Sequence, residues 1–200
     1  MISDVITITS NGENFDAALN EARKVAEFKK LSPRSALHLR LLTEEMMGMM
    51  RSITGESSGK FWIEDKDGEY RLHLQVETYI SREKREELLA ASSSGKNEAT
   101  RSLMGALREF FFRGANEEIA AYNNPLLNAG ATKKSTLPVT DWQWTLTRYQ
   151  DNLRGMDAET PNVSEAWDEL EKSVVKHVAD DVKISIRGWQ TEMIIIKKMA

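Results

Sequence analysis

Two adjacent carboxylates, Glu44 and Glu45, stand inside the apolar run Leu41-Leu42-Thr43-Glu44-Glu45-Met46-Met47-Gly48-Met49-Met50-Arg51-Ser52. Leu39, Leu42, Met46, Met49 and Ile53 recur at steps of three and four, so one face of a helix here must be buried. At about 100° per residue, His38, Leu41, Glu45, Gly48 and Ser52 form a stripe beside that face. Glu45 is then half sheltered, next to a glycine where a ligand can come close. A solvated carboxylate at the edge of the helix is the competing reading.

Other residue types that carry chemistry lack the spacing it needs. Gly95-Lys96 has Ala90 where a phosphate loop needs its first glycine and Asn97 where it needs Ser or Thr; Gly59-Lys60 is followed by Phe61. Asp65-Lys66-Asp67-Gly68 begins like a calcium loop but has neither the third oxygen ligand nor the closing glutamate, which leaves a tight hairpin turn. His38, His73 and His177 are dispersed, so no zinc site and no metal ligand can be named. There is no Gly-x-Ser-x-Gly elbow for a serine nucleophile. Trp62, Trp142, Trp144, Trp167 and Trp189 could stack a ring, but their spread suits packing.

The elements that must position Glu45 follow from periodicity. Val5 to Thr9 is β-branched and predicts a strand, closed by Ser10-Asn11-Gly12. Phe15, Leu19, Ala22, Val25, Ala26 and Phe28 carry helical spacing up to Lys29-Lys30, and Ser32-Pro33 is the start signal of the Glu-bearing helix. Lys60 to Glu64 and Tyr70 to Glu77 predict a hairpin, with Tyr70, Leu72, Leu74 and Val76 facing a core and Arg71, His73, Gln75 and Glu77 facing the wetter side. Ser81 to Leu89 reads as a charged helix, Ala90 to Asn97 as a polar connection, and the stretch from Glu98 to Gly114 as a packed helix. Asn123 to Pro138 reads as a long loop, Trp142 to Tyr149 as a strand, Val163 to Val178 as a helix, and Val182 to Ile186 and Glu192 to Lys197 as two closing strands around Gly188. The methionines 46, 47, 49 and 50 are expected in the core, with an adaptable interface as the other use of such a cluster.

Bulk properties narrow the class. Two hundred residues suit one domain with a continuous core. The 27 basic and 31 acidic residues are well mixed and sum to −4, which disfavours nucleic acid as a partner. The absence of cysteine removes disulfides and thiolate chemistry, and no apolar run approaches the ~20 residues of a membrane span. A cytoplasmic protein without membrane contact is expected.

The order strand, helix, Glu-bearing helix, hairpin, connection, helix and closing strand pair resembles the ATP-binding domain of GHKL-type ATPases, and most of all the anti-sigma-factor serine kinases. The resemblance covers nearly the whole chain except an insertion at about 114–165. It implies an α+β fold over residues 1–200: a two-layer α/β sandwich of the histidine-kinase-like ATPase type, its mixed sheet mostly antiparallel, with helices on one face. In that family a glutamate is the general base and an asparagine four residues later helps hold magnesium; Glu45 matches the first and Met49 stands in place of the second. Gly48 and Ser52 would flank the nucleotide from the same helix. The adenine-binding aspartate would fall at Thr78, or at Glu77 with a slip of one, and its following glycines are replaced across Tyr79-Ile80-Ser81. Ser92 to Asn97 stands for the phosphate loop, where Ser94, Gly95, Lys96 and Asn97 could offer amides and one cation to ATP. Methionine cannot serve a hard cation. The expectation is therefore a regulatory protein with a degenerate adenine-nucleotide site and a protein partner, against the alternative of an active serine kinase or ATPase using Glu45 as base.

Overall fold

The computed structural model describes residues 1–51, 57–77, 131–133, 141–155, 161–187 and 190–199. In chain order the elements are β1 (Ile6–Thr9), α1 (Phe15–Phe28), α2 (Pro33–Arg51), β2 (Ser58–Lys66), β3 (Glu69–Glu77), β4 (Ala131–Lys133), β5 (Asp141–Thr145), α3 (Leu146–Arg154), α4 (Pro161–Lys172), α5 (Val174–Val178), β6 (Asp181–Arg187) and β7 (Gln190–Lys198). The strands form one sheet in the order β1-β2-β3-β7-β6-β5-β4. The fold is α+β. Every pairing in that order is antiparallel, so the parallel component of the expected mixed sheet is absent among the described strands.

Local chemistry fixes the first half. Ser32 Oγ accepts the Ser35 amide at 3.2 Å, which satisfies one orphan donor at the start of α2, and Pro33 occupies the first helical position. The β2–β3 turn is a two-residue hairpin in which Asp67 (φ 54) and Gly68 (φ 84) both take the left-handed conformation, pairing Lys66 with Glu69. That turn sets the register. Phe61, Ile63, Tyr70, Leu72, Leu74 and Val76 of β2 and β3, and Val182, Ile184, Met193 and Ile195 of β6 and β7, alternate inward and are buried.

These inward residues belong to one hydrophobic cluster with Phe15, Ala18, Ala22 and Val25 of α1, Leu39, Leu42 and Met46 of α2, Leu153 of α3 and Val175 of α5. The helices thus cover one face of the sheet. All four methionines 46, 47, 49 and 50 are at most 4% exposed, which makes the cluster core.

Several expectations need correction. Phe28 is 73% exposed: it is the last residue of α1 and lies about 90° from the centre of the stripe that the helix buries. The expected strand Trp142 to Tyr149 ends at Thr145, where Thr145 Oγ1 accepts the Arg148 amide at 3.3 Å and starts α3. Leu146, Tyr149 and Leu153, at helical spacing, are the residues that α3 buries. The helix expected over Val163 to Val178 breaks at Ser173, whose ψ of 127 is extended. Within the expected loop at 123–138, Ala131 to Lys133 form a strand against β5. His73, placed on the wetter face, is 8% exposed. The helices expected at 81–89 and 98–114 lie outside the described residues.

Candidate functional site

Glu45 projects from the flank of α2, between the buried Leu42 and Met46 and the exposed Gly48. It is half-buried, and no hydrogen bond or ion pair from another described residue reaches its carboxylate. Burial raises its pKa, and the neighbouring Glu44 charge adds to the effect. Glu44 itself is engaged by Arg40, whose Nε donates to it at 2.9 Å. The two adjacent carboxylates thus have different environments: one is paired at the surface and the other is sheltered and has no partner among the described residues. A Cβ added at Gly48 would meet no described residue within 4 Å, so nothing among the described residues covers the surface of α2 next to Glu45.

The same flank carries His38, whose pKa is lowered by burial and then by the charges of Lys197 and Arg34. Met49 turns instead into the core, at 4% exposure. Its thioether therefore offers a hard cation no oxygen, and α2 does not supply the magnesium ligand of the Glu-x-x-x-Asn pattern. Among the described residues no group of three His, Asp or Glu side chains converges to hold a metal. Ser52, Thr78, Ser94, Gly95, Lys96 and Asn97 lie outside the described residues, so of the expected site the structure brings together Glu45, Gly48 and Met49. Neither the hollow of about 550 Å³ between α1 and α2 nor that of about 620 Å³ at the β2–β3 turn includes Glu45.

Two polar features escaped the sequence reading. Thr191, on the inward face of β7 opposite Val76, is fully buried, and its hydroxyl has no hydrogen-bond partner among the described residues. Val76 lies two residues before Thr78, so this orphaned oxygen sits on the helix-covered side of the sheet near the end of β3. The signal was a polar residue at an inward position of the alternation Thr191, Met193, Ile195. On the opposite face Trp62 stacks on His73 with ring centroids 4.6 Å apart and planes 9° from parallel. His73 Nδ1 lies 3.0 Å from Glu192 Oε1, and Nε2 is 3.6 Å from Glu64 Oε2. Because a carboxylate only accepts, the first contact places a hydrogen on Nδ1 and ties β3 to β7. The hairpin turn alone determines that Trp62 and His73 are cross-strand partners.

No protein-family model, curated protein or solved structure matches this chain. No helix among the described residues is long and apolar enough to cross a membrane.

Proposed function

We propose that this chain is a regulatory, protein-binding relative of the anti-sigma-factor kinase domain, with a histidine-kinase-like ATPase fold and a degenerate adenine-nucleotide site. The observation that carries this reading is the split within one helix: among the described residues Glu45 stands sheltered and unpaired beside an uncovered Gly48, while Met49 is buried where an oxygen ligand would be needed. Phosphoryl transfer relies on positioning and on neutralising charge, and magnesium supplies much of the neutralisation. A site that keeps the carboxylate but lacks that ligand can retain a nucleotide-shaped cleft without turnover.

The second reading is an active ATP-dependent serine kinase or ATPase with Glu45 as general base. It is favoured by the raised pKa of Glu45, which makes its carboxylate more basic, and by the orphaned Thr191 hydroxyl, a buried polar group that a bound ligand could satisfy. Titration of a fluorescent adenine nucleotide into wild type and Glu45→Ala, with magnesium and with EDTA, separates the two. The regulatory reading predicts that magnesium does not change the affinity and that no product forms. Saturable magnesium-dependent binding, with turnover lost in Glu45→Ala, would overturn it.

A further inference from the structure

We propose that the groove between the outer flanks of α1 and α2 docks an amphipathic helix of another protein whose polar flank is acidic; this rests on the protein-binding reading and gives it a surface and a partner chemistry. The groove of about 550 Å³ has an apolar floor that includes Leu19, Ala26, Leu31 and Leu37. Leu37, in the second turn of α2, is 53% exposed. By helical phase Arg40 lies about 140° and Leu37 about 80° round α2 from Glu45, and Leu37 sits about two turns nearer the start of the helix, so this surface is separate from the candidate nucleotide site.

Charge selects the occupant. Arg23, Lys30 and Arg40 line the groove against one acidic residue, Glu27, in a chain whose net charge is −4. Arg23 is held by Asn20 and Glu27, and Arg40 by Glu44; all are exposed contacts of the kind that contribute little and that an incoming carboxylate can replace. The Lys30 ammonium meets no carboxylate among the described residues. A second copy of this chain would set the same cationic rim against itself across a two-fold axis, which like-charge repulsion opposes. A bilayer presents a flat surface and does not fill a concave groove. A third helix seated between two others satisfies both conditions, with apolar anchors at i, i+3, i+4 and i+7 in the groove and acidic residues along the rim.

The test uses a labelled helical peptide of about four turns, with leucines at those anchor positions and glutamate elsewhere, together with a twin in which lysine replaces glutamate. Each is titrated by fluorescence anisotropy against the full chain, Leu37→Asp and Arg23→Glu/Arg40→Glu, with thermal melting to verify that the variants are folded. The expected result is saturable binding of the acidic peptide, roughly tenfold or more weaker in each variant and falling with added salt, and no binding of the basic twin. Equal binding of both peptides, binding unchanged in the folded variants, or no saturable binding would overturn the proposal. So would association of the groove with anionic vesicles or self-association that Leu37→Asp abolishes. A photo-crosslinker placed in host cells at position 37, and separately at exposed Lys60 on the other side of the sheet, keeps this failure distinct from that of the broader reading. A partner trapped only from position 60 removes the groove and leaves a protein-binding function; no partner trapped from either position removes both.

Discussion

Burial, and then the Glu44 charge, disfavour the ionised form of Glu45 and raise its pKa. Its folded pKa lies above the unfolded one, so its contribution to stability is most favourable below the unfolded value and is lost as pH rises through the folded value. Glu45→Gln should therefore raise the stability at pH 7 by less than about 1 kcal/mol, since a half-exposed group keeps part of its hydration. The gain should vanish in acid near pH 3 to 4, the ordinary carboxylate range; melting curves across pH check both. Thr191 makes a parallel case without charge. Thr191→Val removes a buried hydroxyl that lacks a partner among the described residues and keeps the shape, and should stabilise the protein by about 1 kcal/mol in chemical denaturation. Neither site could be read in full from the sequence. The periodicity of α2 located Glu45 on a flank, whereas the orphaned state of Thr191 depends on which groups from other elements reach it.

At the scale of elements, the sequence was most informative where a turn or cap has a single chemical solution. Ser32-Pro33 opened α2 where the pattern placed it, and Asp67-Gly68 fixed the hairpin register. Ser32→Ala should cost about 0.5–2 kcal/mol, typical of a lost cap, and fray the start of α2 in hydrogen exchange. Asp65, in the same hairpin, is 6% exposed and bonded to Lys29 at 2.5 Å. Burial works to raise its pKa, but the Lys29 hydrogen bond and charge, the Gly68 amide and the N-terminal charge together hold it below the usual carboxylate range. Its stabilisation is present above the unfolded pKa and is lost as pH falls through the folded value, so Asp65→Asn should flatten the acid limb of the stability profile. The sequence was least informative where strand and helix patterns meet. Trp142 to Tyr149 reads as one β-rich run, yet Thr145 caps a helix whose Leu146, Tyr149 and Leu153 enter the core. Burial there pushes the Tyr149 hydroxyl up to about 12. At Ser173 a continuous apolar pattern crosses a backbone break, because helical periodicity does not record a single extended residue.

Across the whole molecule, one helix layer and one antiparallel sheet share a single core, and α2 lies in it with its inner face committed to packing. That commitment turns Met49 inward and leaves Glu45 on one flank, its carboxylate without a partner among the described residues, and Arg40 on the other, where it rims the apolar groove that Leu37 helps to line. Leu72, fully buried in β3, tests the shared core: Leu72→Ala should destabilise by about 2–5 kcal/mol in a single cooperative transition. The central claim concerns what α2 lacks. Incubation of the full chain with γ-labelled ATP and magnesium, alone and with serine-containing protein extract of the host, measures phosphoryl transfer directly. The account predicts no release or transfer of label above that of the Glu45→Ala variant; magnesium-dependent transfer that Glu45→Ala abolishes would contradict it.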